Sequence, residues 1–169
     1  MKILDLDQAV IVALGSNLGA SEEVLETALV RLEQAGLPIL ARSSWWRSAA
    51  WPDPTQPAYR NGVAIVEANG TPETVLATLL GIEAALGRRR TVRNAPRTLD
   101  LDLIAYGREV RDTPGLTLPH PRAHDRRFVM GPLAEIAPGW VHPVLGKTAE
   151  VLARTATVGV DAVAVGMGD

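Results

Sequence analysis

Two aspartates, Asp100 and Asp102, stand two positions apart in the stretch RTLDLDLIAYG, which otherwise has the apolar character of a buried strand. In a β-strand, side chains alternate between the two faces and rise about 3.3 Å per residue, so these carboxylates would lie about 7 Å apart on one face. Oxygen ligands of this kind suit Mg²⁺, which proteins bind through one or two carboxylates together with substrate phosphates. The pattern therefore predicts a divalent metal site, although alternation by itself equally permits a solvated outer face of a sheet.

A basic segment directly precedes the aspartates. The stretch RRRTVRNAPR, residues 88–97, holds five arginines, and a guanidinium group matches phosphate oxygens bidentately. A dense positive loop beside an acidic metal pair meets the electrostatic demand of a bound polyphosphate. Without its neighbours, the same loop is equally a solvated charged surface or a patch for nucleic acid.

Two other stretches offer further candidates for ligand contacts. In LPHPRAHDRRF, His120 could contact phosphate or hydrogen-bond within a turn. Phe128 is the single phenylalanine of the chain, and it could pack in the core or stack on a flat heterocycle. The stretch LGSNLG, residues 14–19, could bind an anion where a strand meets a helix, although a plain capped turn is the simpler interpretation.

The secondary-structure elements that must position these residues follow the order β-α-β-β-α-β. Strand-like runs cover residues 9–16, 39–51, 61–68 and the segment with the two aspartates. Amphipathic runs predict helices from Ser21 to Gly36 and from Thr71 to Gly87, since each begins at a capping residue and ends at a glycine. This order predicts an α+β, ferredoxin-like core in which an antiparallel sheet carries two helices on one face.

The remainder of the chain adds C-terminal helices to that core. Helices are predicted around Val129–Ile136 and within residues 146–156, whereas residues 113–128 have the composition of a loop. The tail after Thr157 is small and apolar, and its pattern assigns no element to it. We expect residues 1–169 to form a single domain, with 157–169 as a tail of unassigned structure.

Composition excludes several classes of function. The chain has 169 residues, a formal net charge of −2 and no cysteine, so disulfides, thiolate zinc sites and cysteine nucleophiles are excluded. The absence of cysteine suits a reducing compartment, and acidic residues interrupt the N-terminus before any apolar run of signal length. No apolar run approaches the length of a membrane span. We expect a cytoplasmic monomer that binds neither nucleic acid nor membrane.

Taken together, four segments resemble the 6-hydroxymethyl-7,8-dihydropterin pyrophosphokinase (HPPK) family of folate biosynthesis. The segments ALGSNLG, QPAYRNGV, RTLDLDLIAYG and LPHPRAHDRRFVMGPLAEIAP occur in that family's order and spacing, within residues 10–143. The resemblance implies transfer of diphosphate from ATP to the hydroxymethyl oxygen of a reduced pterin, with release of AMP. It also implies two Mg²⁺ ions that bridge the triphosphate, with ATP as co-substrate.

The resemblance assigns roles to individual residues of this chain. Asp100 and Asp102 would ligate the metal ions and, with Arg88 and Arg97, form the catalytic group. The positions implied to bind ATP are Glu83, Arg88, Arg90, Arg97, Leu103, Thr117, His120 and Arg126. Those implied to bind the pterin are Ser48, Ala50, Trp51, Tyr59, Asn61 and Phe128. Asn61 would pair with the amide edge of the pterin, and Phe128 would stack on its ring.

Three alternatives to this assignment stay open at the level of sequence. A different Mg²⁺-dependent, ATP-using phosphotransferase could use the same acidic pair and would release ADP or phosphate. An RNA-binding module shares the ferredoxin-like order, but it would need stacking aromatics on the sheet, and no such signature surrounds Trp45, Trp46, Trp51 or Tyr106. A catalytically inactive binding protein is the third, which the intact aspartate pair disfavours. Asn94–Ala95 replace the Trp-Gly of many family members, which predicts a different closure of the arginine loop.

Overall fold

The computed structural model of the protein describes residues 4–17, 21–49, 55, 57–86 and 99–165. Within these residues, strands and helices alternate along the chain. The strands are β1 (Val10–Ser16), β2 (Ile39–Arg42), β3 (Trp46–Ser48), β4 (Tyr59–Val66), β5 (Asp100–Tyr106), β6 (Arg111–Thr113), β7 (Leu116–Leu118) and β8 (Val163–Ala164). The helices are α1 (Ser21–Gln34), α2 (Pro72–Leu86), α3 (Arg127–Ile136) and α4 (Ala149–Thr155), with 3₁₀ turns at Leu6–Gln8 and Ala123–Asp125.

The main sheet is antiparallel and has the order β5-β1-β4-β3-β8, with β2 also paired to β4. This arrangement confirms the predicted α+β, ferredoxin-like core. The predicted strand over residues 39–51 is wrong in extent, because the chain leaves the ladder between β2 and β3. There the hydroxyl of Ser43 accepts the backbone N–H of Val63 at 2.9 Å, so a side chain replaces a backbone carbonyl and interrupts the strand.

One face of the sheet is fully covered by α1 and α2, and we call it the closed face. Alternate residues of β1 and β5, such as Leu14 and Leu101, pack there against helix residues such as Leu25, Leu32 and Leu79. All of these side chains are buried. The period of two in the strands and the 3.6-residue period of the helices place these residues on facing surfaces, which explains the continuous apolar layer.

The opposite face is covered by α3 and α4 over part of its area, and we call it the half-open face. Ile11, Ile65 and Ile104 pack there against Met130 and Leu133 of α3. Asp100 and Asp102, at the start of β5, are not fully buried by these helices and are half-buried on this face. Polar side chains can therefore meet a ligand at that end of the sheet.

Two further predictions need correction. The segment 113–128 is not simply a loop, because β6 and β7 form a hairpin whose turn contains Gly115 at φ +84°. Burial of Leu116 and Leu118 in the core holds this hairpin in place. Both predicted C-terminal helices are present, although α3 begins two residues earlier than predicted, at Arg127. The unassigned tail contributes β8, which pairs with β3.

Candidate active site

The two aspartates lie side by side on β5, as the alternation predicts. Asp100 and Asp102 are half-buried on the half-open face, while Leu101 points into the closed face. On the neighbouring strand β1, they pair with Gly15 and Ala13 respectively. Both of these partners carry little or no side chain, which limits how much of the carboxylates they cover.

Glu83 contacts the backbone of β5, the strand that carries the two aspartates. This residue of α2 is 5% exposed, and its Oε2 accepts the backbone N–H of Leu101 at 2.6 Å. Leu101 lies between the two aspartates, and this N–H points away from β1, toward the edge of the sheet. The carboxylate satisfies a strand-edge donor that would otherwise be buried without a partner. Glu83 therefore fixes the backbone that carries the aspartates.

His120 joins this acidic end from the segment that follows β7. Its backbone N–H donates to the carbonyl oxygen of Ile104 at 2.8 Å, and its Nδ1 accepts from the N–H of Arg122 at 3.2 Å. Burial lowers the pKa of His120; the charge of Asp102 opposes this shift, and those of Arg126 and Arg122 reinforce it. A neutral ring whose Nδ1 accepts carries its proton on Nε2, so His120 can donate one hydrogen bond to a ligand.

Two other residues assigned to ATP occupy different surroundings. Thr117 lies in β7, opposite Asp112, and is half-buried. Leu103 is 5% exposed, and its side chain belongs to the apolar layer of the closed face. The side chain of Leu103 therefore points away from the aspartates, so that a ligand on the half-open face could meet this residue only through its backbone.

A row of residues crosses the sheet from the acidic strand to the predicted pterin side. In register, Asp100 of β5 lies opposite Gly15 of β1, Gly15 opposite Asn61 of β4, and Asn61 opposite Trp46 of β3. With neighbouring strands about 4.8 Å apart, Asp100 and Asn61 are separated by about 10 Å. Two pairs further along the same strands, and so on the same face, Ser48 lies opposite Tyr59. The structure thus brings the predicted metal and pterin residues onto one surface.

Gly15 is a residue of this site that the sequence interpretation missed. A Cβ atom at Gly15 would lie 2.5 Å from Nδ2 of Asn61, a separation that real side chains do not show. The missing side chain leaves room for the Asn61 amide, which lies against the Gly15 backbone. The available signal was a glycine at the end of a buried strand, which marks close approach of another group.

Phe128, predicted to stack on the pterin, is the second residue of α3. Its ring is half-buried, and the guanidinium carbon of Arg126 lies 5.8 Å from the ring centroid. Arg126 precedes the first residue of α3 and also contributes to the field at His120. These two neighbours therefore connect the acidic end with the predicted stacking residue.

The remaining predicted site residues lie outside the described part of the chain. These are Arg88, Arg90 and Arg97 of the arginine loop, together with Ala50 and Trp51 after β3. Within residues 4–17, 21–49, 55, 57–86 and 99–165, no group of three or more His, Asp or Glu side chains forms a complete metal cage. The oxygen donors of Asp100 and Asp102 still fit Mg²⁺, because this ion takes its remaining ligands from water and phosphate.

Three of the four aromatics considered for stacking on RNA bases, Trp45, Trp46 and Tyr106, make contacts within the protein, and the fourth, Trp51, lies outside the described residues. Trp45 is buried in the closed face. The indole N–H of Trp46 donates to Glu135 at 3.0 Å, and its ring lies against Gly131 of α3. The hydroxyl of Tyr106 donates to the carbonyl oxygen of Gly70. Because these three side chains are engaged within the protein, the observed packing disfavours the RNA-binding alternative.

The fold and the site define a ferredoxin-like α+β protein whose half-open sheet face gathers carboxylates, a neutral histidine and a carboxamide. The family model described as 7,8-dihydro-6-hydroxymethylpterin-pyrophosphokinase (HPPK) matches residues 11–138. The chain belongs to this HPPK family. The matched span contains every residue of the cross-sheet row.

Two relatives illustrate the similarity. The 2-amino-4-hydroxy-6-hydroxymethyldihydropteridine pyrophosphokinase of a Synechocystis species is 46% identical over 139 residues, which cover 82% of this chain and 71% of the relative. The protein of the same name from Methylorubrum extorquens is 40% identical over 153 residues, covering 89% of this chain and 95% of the relative. The similarity therefore extends over most of both relatives.

A solved structure supports the fold independently. A crystal structure of Plasmodium falciparum HPPK-DHPS superposes with a TM-score of 0.70 at 13% sequence identity, over 86% of this chain. The chain spans 42% of the length of that protein. Among the helices of the described residues, none has the length and apolar character needed to cross a membrane.

Proposed function

We propose that the protein catalyses the reaction for which its family is named: transfer of a diphosphate group from ATP to the hydroxymethyl group of 6-hydroxymethyl-7,8-dihydropterin, with release of AMP. ATP is the co-substrate of this family. The observation that carries the proposal is the row Asp100–Gly15–Asn61, which holds an acidic pair and a carboxamide on one open surface. The backbones at the two ends of the row lie about 10 Å apart, so the ATP and pterin sites would be adjacent on this face.

At the acidic end, we propose that Asp100 and Asp102 hold two Mg²⁺ ions against the triphosphate. Bound Mg²⁺ would neutralise phosphate oxygens and polarise the attacking hydroxyl. The aspartates supply oxygen ligands whose direction is fixed, because Glu83 holds the strand between them. A rigid pair of ligands keeps the triphosphate in one orientation relative to the rest of the site.

Around this pair, we propose that Glu83, Thr117, His120, Arg126 and the backbone of Leu103 form the ATP side, completed by Arg88, Arg90 and Arg97. The lowered pKa of His120 keeps its ring neutral, so that it donates a hydrogen bond without adding charge. The guanidinium of Arg126 instead supplies positive charge beside the phosphates. Arginines and His120 would together stabilise the charge that develops on the departing AMP.

At the other end, we propose that Asn61 recognises the edge of the pterin and that Phe128 stacks on its ring. A carboxamide offers both a donor and an acceptor, which matches the amide edge of the heterocycle. Ser48 and Tyr59 lie beside Asn61, and Ala50 and Trp51 would complete the pocket. An apolar, flat pocket with a few polar groups is the usual form of a heterocycle site.

The proposal is tested by the identity of the nucleotide product. The purified protein is incubated with ATP, Mg²⁺ and reduced hydroxymethyl-pterin, and the products are separated by chromatography. We expect AMP in the presence of both pterin and Mg²⁺, and its loss in Asp100→Asn and Asp102→Asn. Asp7→Asn is a matched control, since Asp7 is exposed in the 3₁₀ turn before β1, at the opposite end of that strand.

Other products would contradict the proposal. Formation of ADP or free phosphate, or turnover that is indifferent to pterin, would indicate a different phosphotransferase. Loss of AMP formation in Asp7→Asn to the same degree as in Asp102→Asn would remove the specific role of the acidic pair. The absence of any nucleotide product would favour an inactive binding protein.

We further propose that residues 1–169 act as a single pyrophosphokinase domain, as a monomer in the cytoplasm, with ATP and the pterin as partners and neither nucleic acid nor membrane. The lack of cysteine supports a reducing compartment. The engaged aromatics of the sheet support the exclusion of RNA. Sedimentation at assay concentration would test the monomer.

A further inference from the structure

We propose that residues Thr157–Val165, which we call the C-terminal strap, form the outer support of the pterin side, with Gly159 and Asp161 as its positioning residues. This inference rests on the proposed function, because it concerns how that function's pterin contacts are held. The sequence pattern assigned no role to these residues. In the structure they connect the start of α3, where Phe128 lies, with the edge of the sheet, where Ser48 lies.

The strap is fixed at both of its ends. At its start, the backbone N–H and hydroxyl of Thr157 donate to the Asp125 carboxylate at 2.9 and 2.6 Å. The next residue exchanges backbone hydrogen bonds with the same region: Val158 donates to Asp125 at 3.0 Å and accepts from Arg127 at 2.9 Å. These bonds tie the strap to the turn that leads into α3.

At its far end, the strap becomes part of the sheet. Strand β8 pairs with β3, so that Ala164 lies opposite Trp46 and Val163 opposite Arg47. The N–H of Val165 donates to the carbonyl oxygen of Trp45 at 2.8 Å. The strap therefore spans a fixed distance between α3 and β3, and both of these elements carry residues assigned to the pterin.

Gly159 meets the stacking residue directly. It has φ +69°, and a Cβ atom built on it would lie 2.5 Å from Cδ1 and 3.1 Å from Cε1 of Phe128. The strap backbone thus lies against one side of the ring, at a distance that leaves no room for a side chain. A methyl group at this position would displace the Phe128 ring from the place where it stacks.

Asp161 holds the opposite wall. Its Oδ2 accepts the backbone N–H of Ala49 at 2.7 Å, and Ala49 directly follows Ser48. The adjacent Ala162 is buried and accepts a hydrogen bond from the Arg127 side chain at 3.0 Å. A charge-assisted bond in this anchored setting fixes the backbone beside Ser48.

A flat ligand held between two walls binds best when the separation of those walls is already set in the free protein. Here one wall is Phe128 and the other begins at Ser48 and Ala49, and the strap touches both. We therefore expect changes in the strap to weaken pterin binding more than ATP binding. Of the residues assigned to ATP, Arg126 bridges to Val158 of the strap, and its guanidinium lies over the Phe128 ring, so a smaller effect on ATP passes through that side chain.

The decisive comparison is between two glycine substitutions. Gly159→Ala introduces both a strained positive φ and a clash with Phe128. Gly146→Ala introduces the same strain at φ +68°, but nothing lies within 4 Å of its Cβ position. Initial rates of AMP formation are measured against pterin and against ATP, together with unfolding midpoints. We expect Gly159→Ala to raise the KM for pterin about tenfold, the scale of an aromatic stacking contact, with a smaller change in the KM for ATP.

Gly146→Ala should lower the unfolding midpoint without changing either KM. Equal KM values for pterin in the two variants, with normal wild-type turnover, would overturn the inference and leave the proposed function intact. A wild-type protein that forms no AMP would overturn both.

If Gly159→Ala does not fold, two substitutions of Asp161 test the inference instead. Asp161→Ala should raise the KM for pterin several-fold. Asp161→Asn retains an acceptor oxygen, so its KM for pterin should stay close to the wild-type value. No difference between the Asp161 variants and wild type would contradict the role of the strap.

Discussion

The two faces of the sheet use the same strands for different purposes. On the closed face, leucines and valines of β1 and β5 meet α1 and α2 in a continuous apolar layer. On the half-open face, the intervening residues of the same strands are apolar only under α3 and α4, and they become polar at the end where Asp100 and Asn61 lie. Because successive side chains of a strand point to opposite faces, neighbouring residues of one strand serve different purposes: one stabilises the fold and the next can contact a ligand.

This separation makes a strong prediction for the closed face. Leu32→Ala removes a fully buried side chain of α1, and large-to-small changes of this kind cost about 2–5 kcal/mol of unfolding free energy. Because Leu32 lies in the helix layer away from the site, kcat and KM well below the unfolding temperature should stay at wild-type values. Denaturant unfolding and initial rates on the same preparation test this. A large loss of specific activity in the folded variant would show that the faces are not independent.

The reciprocal prediction concerns the half-open face. Asp102→Asn keeps the shape of a half-exposed side chain, so the unfolding free energy should change by no more than about 0.5 kcal/mol. The rate of AMP formation should fall on the order of 10²–10³-fold, as it does when a charge-stabilising group is lost from a reaction site. Activity assays over a range of Mg²⁺ concentrations measure this effect. If Asp102→Asn lost stability but kept its activity, Asp102 would contribute to folding and not to the reaction, contrary to the role assigned to the half-open face.

A third prediction concerns the effect of acid pH on the free energy of unfolding, through a histidine beneath the half-open face. His142, between α3 and α4, is 5% exposed, and its Nδ1 accepts the N–H groups of Val144 and Leu145. Burial, with a smaller contribution from His124, lowers the pKa of His142 to about 4. Between pH 6.5 and 4 the unfolded chain binds a proton at this site that the folded chain does not, so stability falls as the pH falls.

The upper limit of this loss is about 3 kcal/mol, from 1.36 kcal/mol per pKa unit. His142→Asn retains an acceptor oxygen and does not titrate, so its unfolding free energy should depend less steeply on pH in the same interval. Denaturant titrations of both proteins at pH 7, 5.5 and 4.5 measure the difference. Parallel curves would mean that His142 does not supply the acid sensitivity of this layer.

The smallest predicted effect tests the row across the half-open face. Gly15→Ala should push aside the Asn61 amide and raise the KM for pterin about tenfold, the equivalent of one hydrogen bond of about 1.4 kcal/mol. Gly81→Ala is the matched control, because Gly81 is exposed in α2 with nothing within 4 Å of its Cβ position. That control should leave both KM values unchanged and slightly stabilise the helix. An unchanged KM for pterin in Gly15→Ala would argue that Asn61 does not bind the pterin edge.

Much of the fold and part of the candidate site could be predicted from the sequence alone. The periodicities fixed the order of strands and helices, and the spacing of Asp100 and Asp102 placed both on one face, because the strand repeat is two. The family resemblance also followed from short segments, and the family match confirms it. The division of residues 39–51 was not predictable, since the hydroxyl of Ser43 competes with the backbone only when β4 lies beside it.

Only the tertiary structure decided which distant residues became neighbours. Gly15, Asn61 and Asp100 are far apart in sequence, and their row depends on the register of two strand pairs. Gly159 and Asp161 gained their contacts with Phe128 and Ala49 because the strap crosses from α3 to β3. Sequence patterns report local periodicity, whereas these contacts arise from packing between segments that carry no local signal of one another.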